Sequence, residues 1–135
     1  MTEADLTYQI SEILNRLWDL QQWWASVSFG VLVVAYLVGK QMSGILVCIL
    51  LLLYTAYSVY MWDLMGVNVN VFYAYVGDLQ KLSDSGVKLS AGTIEYLLPP
   101  KLGAILAPIA LIGTFISVVG YTLYVFFRRE NREAA

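Results

Sequence analysis

Side chains that could do chemistry are few and scattered in this sequence of 135 residues. It has one cysteine, Cys48, and no histidine. Asp84, Lys88 and Glu95 lie close together in the sequence and could form an acid–base group. Since no nucleophile, histidine or metal-ligand spacing accompanies them, a solvated surface cluster is the better interpretation. We therefore expect no catalytic residue, no cofactor and no metal site, and we expect that the chain is not an enzyme.

Cys48 and the overall charge exclude further functions. A single cysteine cannot form an internal disulfide. Cys48 lies in the middle of a long uncharged stretch, where desolvation would leave its thiol unreactive, so we interpret it as a small packing residue. The net charge is −2, and no basic stripe occurs before the last few residues. This distribution argues against nucleic acid as a partner.

Three long stretches without charged residues determine the predicted architecture. They lie between Asp19 and Lys40, between Lys40 and Asp63, and between Lys101 and Arg128, and they contain 20, 22 and 26 residues. About 20 apolar residues, rising about 1.5 Å each, cross a hydrocarbon layer of about 30 Å. A soluble helix bundle is the alternative interpretation. It is disfavoured because soluble helices carry a polar face and these stretches show none.

The sequence thus predicts an all-α integral membrane protein that forms a single domain, with the lipid bilayer around three transmembrane helices. In order, its parts are an amphipathic N-terminal helix at 5–21, a first span at 22–39, a second span at 43–62, an extramembrane loop of about 40 residues at 63–101, a third span at 102–127 and a basic tail at 128–135. Since no glycine or proline precedes Gly30, we expect the N-terminal helix to continue into the first span.

The N-terminal helix has a start signal and an apolar stripe. Thr2 and Asp5 form a plausible capping box. The stripe is built from residues at helical spacing, namely Leu6, Ile10, Ile13, Leu14, Leu17 and Leu20. We expect this stripe to lie on the membrane surface or to pack against a partner.

The loop at 63–101 is expected to be partly helical. Asn70 is a possible N-cap and Gly86 a stop signal. Between them, one helical face carries Val71, Phe72, Tyr75, Val76, Leu79 and Leu82. A second short helix is expected at about 90–98, before Pro99 and Pro100 end the loop. Residues 67–71 alternate valine with asparagine, so a brief strand is the competing interpretation for that part.

Two groups of residues indicate how the spans meet lipid and one another. An aromatic belt at the water–lipid boundary is predicted from Trp18, Trp23, Trp24, Tyr57, Tyr60 and Trp62. In the third span, small residues that let helices approach closely are Gly103, Ala107, Ala110, Thr114 and Ser117, with Gly113 and Gly120 beside them. Their partner is either the second span of the same chain, which we favour, or a neighbouring subunit. The second half of the second span carries Tyr54, Thr55, Tyr57 and Ser58, whose hydroxyls need partners at that depth.

Charge near the span ends predicts the orientation. The short flanks carry Lys40, Arg128, Arg129 and Arg132, whereas the other four basic residues are scattered among eight acidic ones. The positive-inside rule weights short flanks. We therefore expect a multi-pass protein of the bacterial cytoplasmic membrane with its N-terminus outside and its C-terminus in the cytoplasm.

Two functions remain open. The first is a non-catalytic accessory or scaffold subunit, which binds another membrane protein or itself through the third span and the amphipathic N-terminal helix. The alternative is a homo-oligomeric pore. Its polar face would use Ser26, Thr55, Ser58, Thr114, Ser117 and Thr122. In size, number of spans and short basic tail, the predicted topology is similar to that of the phage holins with three spans.

Overall fold

The computed structural model describes residues 1–38, 41–98 and 102–133, and it describes the backbone alone for 102–105 and 129–133. All regular elements in these ranges are helical. They are α1 (Glu3–Val38), α2 (Gly44–Asp84), α3 (Ala91–Ile94) with a 3-10 turn at Glu95–Leu97, and α4 (Leu102–Glu133). Three segments, within α1, within α2 and at Leu106–Arg128, are long and apolar enough to cross a membrane. The fold is therefore compatible with a multi-pass membrane protein.

Helix α1 begins at the predicted capping box. The Thr2 N–H donates to Asp5 Oδ2 at 2.9 Å, and the Asp5 N–H donates to Thr2 Oγ1 at 3.2 Å. These bonds satisfy donors that the first helical turn leaves without intrahelical partners. The Thr2 N–H and hydroxyl both favour the charged carboxylate, so they lower the pKa of Asp5. From this cap, α1 continues without interruption to Val38.

Helix α2 does not end where the second span was expected to end. It continues past residue 62 to Asp84, so Asn70 is not an N-cap and residues 67–71 are helical rather than a strand. The Asn68 amide donates to the Leu64 carbonyl at 2.8 Å and so makes its bond within the helix. A helical glycine costs about 1 kcal/mol relative to alanine, too little for Gly66 or Gly77 to end a helix that buries an apolar face.

The turn after α2 follows the predicted stop signal. Gly86 has φ of +88°, a left-handed conformation that glycine adopts without strain. Its N–H donates to the Ser83 carbonyl at 3.0 Å. The short helix expected at about 90–98 corresponds to α3 and the 3-10 turn. The end of the first span expected at residue 39 and the loop end expected at Pro99 and Pro100 lie outside the described residues.

Helix α4 extends past the expected end of the third span at residue 127 and includes most of the basic tail. No glycine or proline follows Gly120 in the sequence. Arginine and glutamate are good helix formers, so the polar tail can continue the helix beyond its apolar part.

Contacts divide the chain into two compact units. Unit 1 comprises Met1–Gln21 and Trp62–Lys101, and unit 2 comprises Gln22–Met61 and Leu102–Ala135. In unit 1 the buried cluster is Leu6, Ile10, Leu79 and Leu89, against which Phe72, Tyr75, Val76, Leu82, Tyr96 and Leu97 pack. In unit 2 a buried cluster consists of Val31, Tyr54 and Val118, with Leu32, Leu50, Phe115 and Val119 around it.

The apolar stripe of α1 lies in the core of unit 1, and not where the sequence predicted it. That stripe was expected on a membrane surface or on a partner, but Leu6 and Ile10 are buried against α2 and the residues that follow it. Ile13 is buried as well, whereas Leu14 is exposed. The segment 71–89 offers a matching apolar face in the same chain, and burying both faces there removes them from water.

Candidate interaction surfaces

The residues first considered for chemistry are all exposed. Asp84 is the last residue of α2 and accepts a hydrogen bond from the Gln80 amide at 3.0 Å. Lys88 is exposed between α2 and α3, and Glu95 begins the 3-10 turn. Cys48 is exposed on α2. Within the described residues, no three histidine, cysteine, aspartate or glutamate side chains are grouped to hold a metal ion.

In unit 1, the first turns of α1 hold the start of α3 through a small polar cluster. The Ser90 N–H donates to Glu3 Oε1 at 2.9 Å. Ser90 Oγ lies 2.8 Å from Thr93 Oγ1, and Thr7 Oγ1 lies 3.4 Å from the same Thr93 atom. Hydrogen bonds from the Thr93 hydroxyl, and next from the Ser90 N–H, favour the charged carboxylate and lower the pKa of Glu3. The carboxylate thereby serves as a cap for α3, supplied from a distant part of the sequence.

In unit 2, hydroxyl groups join α1 to α2 within the buried contact. The Trp24 Nε1–H donates to Ser58 Oγ at 3.1 Å, and Ser28 Oγ lies 2.9 Å from the Tyr54 hydroxyl. All four side chains are buried. The Tyr54 ring also stacks on Phe115 of α4, with ring centroids 5.6 Å apart. Tyr54 and Ser58 thus find the partners that their hydroxyls were expected to need, while the role of Ser28 was not foreseen.

One member of the expected aromatic belt belongs to this contact instead. Trp24 is only 3% exposed, so its ring faces α2 and not the surroundings. Trp18, Trp23 and Tyr60 are largely exposed. Tyr57 and Trp62 are partly buried.

The hydroxyls expected to line a pore point in different directions. Ser58 and Thr122 are buried inside the single chain, and the Thr122 hydroxyl donates to the Val118 carbonyl. Ser26 and Ser117 are exposed, and each donates to the carbonyl four residues earlier in its own helix. Thr55 is exposed and Thr114 is partly buried.

Helix α4 has two distinct faces where its side chains are described. Val118 and Thr122 are buried, and Phe115 packs on the core beside them. A second face is exposed and runs through Leu106, Ala110, Gly113, Ser117, Gly120 and Tyr124, with alternating spacings of four and three residues. Ala107 and Thr114 lie partly buried between the two faces, and the exposure of Gly103 is not described.

The exposed face of α4 has room for larger side chains. A Cβ atom added at Gly113 or Gly120 would meet no atom within 4 Å other than its chain neighbours and the adjacent backbone of α4. The core contact of α4 instead uses larger side chains around Val118. Most of the small-residue pattern is therefore not covered by the chain's own helices, contrary to the intrachain contact that we favoured from the sequence.

Comparisons with known proteins add no relative. No protein-family model, no curated protein and no solved structure matches this chain. Its function is therefore inferred from the contacts and exposures of its own residues.

Proposed function

We propose that this protein is a non-catalytic accessory or scaffold subunit of a membrane complex, which binds another membrane protein or a second copy of itself through the exposed small-residue face of α4. The observation that carries this proposal is the exposure of Ala110, Gly113, Ser117 and Gly120 along one side of that helix. In lipid, close backbone approach, and not the hydrophobic effect, drives helix association, and small residues permit that approach.

The spacing of this face also fits helix pairing. Alternating steps of four and three residues give a mean period of 3.5, which keeps one face directed at a neighbouring helix that crosses at about 20°. The adjacent exposed face of α4 carries Ile109, Ile112 and Ile116, bulky apolar side chains suited to contact with lipid tails. Contact with lipid alone does not require small residues, so the contrast between these two exposed faces supports a helix partner for the small-residue face.

The non-catalytic part of the proposal is supported by the residues of the three spans. No Asp, Glu, Lys, Arg or His occurs within 22–39, 43–62 or 102–127. Intramembrane chemistry and proton coupling usually use such groups. The pore hypothesis has less support than the scaffold, because two of its six hydroxyl residues, Ser58 and Thr122, are buried in the single chain.

We further propose the cytoplasmic membrane of a bacterium as the location, with the N-terminus outside. Lys40, Arg128, Arg129 and Arg132 flank the spans closely and would lie on the cytoplasmic side. A Ser11→Cys variant tests this orientation, because Ser11 is exposed. A membrane-impermeant thiol reagent should label it in intact cells, and labelling only after lysis would reverse the orientation.

The association itself is tested by the native mass of the full chain extracted from its own membrane in mild detergent. We expect a defined complex for the wild type and at least a roughly tenfold lower complexed fraction for Gly113→Leu with Gly120→Leu, since leucine would hold the two helix backbones apart. Because added atoms at both positions meet only open space, the single chain should stay folded.

Ile112→Leu with Ile116→Leu is the matched control, because it changes side-chain shape on the neighbouring face of α4 without changing volume. Its complexed fraction should equal that of the wild type. A wild-type protein that is a monodisperse monomer, or a complex unaffected by the two glycine substitutions, would refute the proposal.

A further inference from the structure

An open apolar groove lies between α1 and α2 within unit 2, and we call it the lateral groove. Val34 and Val38 line it from α1, and Leu46, Ile49 and Leu53 line it from α2. Its volume is about 460 Å³. These five side chains are between 40% and 66% exposed, so the groove is open along one side.

The lateral groove lies on the side of α2 away from α4. A Cβ atom added at Gly44 would lie 3.4 Å from the Phe126 ring, so that side of α2 faces α4. At 100° per residue, Leu46, Ile49 and Leu53 are about 140–180° around the helix from Gly44. No described residue of α4 lines the groove. The groove is therefore a surface separate from the small-residue face of α4.

The lateral groove is apolar along its length and polar at one end. Among the described residues that line it, Gln41 is the one polar residue, and it is exposed just before α2 begins. The contact of Gly44 with Phe126 places Arg128, which is also exposed, at the same end of unit 2. Positive charge near a membrane surface attracts negatively charged headgroups. This distribution of polarity matches an amphiphile with one apolar chain in the groove.

The length of the lateral groove matches one leaflet of a bilayer. Leu53 lies nine residues after Gly44, which is about 14 Å along the helix axis, and half of a hydrocarbon layer of about 30 Å is about 15 Å. One turn further along the same side of α2 comes Tyr57, a large side chain that is partly buried and does not line the groove. A transmembrane helix would need a groove through both leaflets, whereas an acyl chain needs only one.

We infer that the lateral groove binds one acyl chain of a phospholipid from the leaflet at the Gln41 end, with the Gln41 amide beside the phosphate. The amide N–H groups donate, and the phosphate oxygens accept. A flexible chain restores the dispersion contacts that an unfilled apolar groove would forfeit. The inference rests on the membrane location in the proposed function, and it does not depend on association through α4.

Lipid retention by the full chain tests the inference. The protein is freed of lipid in mild detergent and titrated with dioleoyl phosphatidylglycerol, and native mass measurement counts the bound lipids. We expect one tightly retained lipid per chain. Leu46→Trp with Ile49→Trp should lower its occupancy about tenfold, because two indole rings would take up the space of the acyl chain.

Ile45→Trp with Leu52→Trp is the matched control. These residues lie on the same helix at similar depth, are 77% and 70% exposed, and do not line the lateral groove. Lipid occupancy of this variant should equal that of the wild type. A wild type that retains no lipid, or equal losses in the two tryptophan pairs, would overturn the inference.

A variant at the polar end keeps the test decisive if the tryptophan pair disturbs folding. Gln41→Glu leaves the apolar lining intact but places a negative charge beside the phosphate, and it should weaken lipid binding about fivefold. Gln80→Glu makes the same change at an exposed position of unit 1 and should bind lipid like the wild type. Unchanged binding by Gln41→Glu would also overturn the inference.

The same mass measurements separate this inference from the proposed function, because they report bound lipids and protein copies together. A Gly113→Leu, Gly120→Leu variant that loses its protein complex and keeps its lipid would support both proposals. A lipid-free chain inside an intact protein complex would contradict the lateral groove alone. A wild-type monomer with one bound lipid would contradict the association through α4 and support the groove.

Discussion

Helices α1 and α2 meet in both units, but the chemistry of the contact differs between them. In unit 1 the centre of the contact is apolar, with Ile10 and Leu79 fully buried. The hydrogen bond from Ser90 to Glu3 lies at an exposed edge, and the one between the Thr7 and Thr93 hydroxyls is only partly buried. In unit 2 hydroxyls occupy the buried contact itself, where Ser58 is 0% exposed and Ser28 1% exposed.

This difference is expected if water surrounds unit 1 and lipid surrounds unit 2. In water, removing apolar side chains from solvent drives packing. In lipid, an apolar side chain gains little free energy when it exchanges contacts with lipid tails for contacts with protein. Hydrogen bonds and close packing therefore decide which helices associate. The hydroxyls of Ser28, Tyr54 and Ser58 would also lack partners in hydrocarbon, and their pairing removes that cost.

The outer surfaces of the two units differ in the same sense. Unit 2 exposes large aliphatic residues along α2, including Ile45, Leu52 and Leu53. Unit 1 exposes charged residues on the same helix, among them Asp78 and Lys81, which form an ion pair at 2.7 Å. One continuous helix thus carries a lipid-compatible surface in one part and a water-compatible surface in the other.

The largest expected effect comes from a cavity in the apolar core of unit 1. Leu79→Ala should lower the free energy of unfolding of this unit by about 2–5 kcal/mol, because it removes a fully buried side chain. Hydrogen exchange of amides in 71–84 measures the loss. Val71→Ala is the matched control on the same helix, since Val71 is exposed and its truncation should cost within about 0.5 kcal/mol. Equal effects of the two substitutions would refute the apolar account of this contact.

A smaller effect is expected from the hydroxyl contact of unit 2. Ser28→Ala, Tyr54→Phe and the double variant form a thermodynamic cycle for one hydrogen bond. Its coupling free energy should be about 0.6 kcal/mol and at most about 1.7 kcal/mol, the range found for hydrogen bonds between membrane helices. Reversible unfolding in mixed detergent micelles measures it.

Ser26→Ala provides the control for this cycle. The Ser26 hydroxyl is exposed and donates to the Gln22 carbonyl of its own helix, so its loss should leave the contact with α2 unchanged. A coupling of zero between Ser28 and Tyr54 would show that close packing alone joins the helices in unit 2. The contacts in the two units would then differ only in how tightly side chains pack, and not in the kind of interaction.

Sequence rules predicted the features that depend on neighbours along the chain. The lengths of the uncharged stretches predicted the three apolar helices. The spacing of Thr2 and Asp5 predicted the start of α1, and Gly86 predicted the turn after α2. The prediction failed at residues 63–70, where asparagine and alternating valines favour a cap or a strand locally. Burial of Phe72 and Leu79 against α1 outweighs those weak local preferences, and it involves residues far apart in the sequence.

The hydroxyl contact of unit 2 was only half predicted for a similar reason. A tryptophan near the end of a span is commonly an interface residue, so Trp24 was grouped with Trp18 and Trp23. Trp24, Ser28, Val31 and Ala35 follow one another at spacings of four, three and four residues, and all four are buried. That spacing was a signal for the packed face of α1, but one sequence does not say which other helix covers it.

The smallest expected effect concerns the edge of unit 1, where Glu3 caps α3. Hydrogen bonds from Thr93 and Ser90 lower the pKa of Glu3 in the folded chain below its ordinary value of 4.5. A lowered folded-state pKa contributes stability above the unfolded-state pKa, and that contribution is lost as the pH falls through the folded value. Protection of the Ser90 amide against hydrogen exchange, corrected for the intrinsic rate, should therefore be constant above about pH 5 and should fall in more acidic solution.

The Glu3→Gln variant should show weaker Ser90 protection at neutral pH and little change on acidification, because an amide oxygen accepts a weaker hydrogen bond and does not titrate in this range. Glu12→Gln makes the same change elsewhere on α1 and should behave like the wild type. Because the bond lies at an exposed edge, the core around Ile10 and Leu79 should keep its own protection throughout. If acid released Ser90 and this core together, the edge and the apolar centre of unit 1 would form one cooperative element, and the division between exposed polar and buried apolar contacts would not hold there.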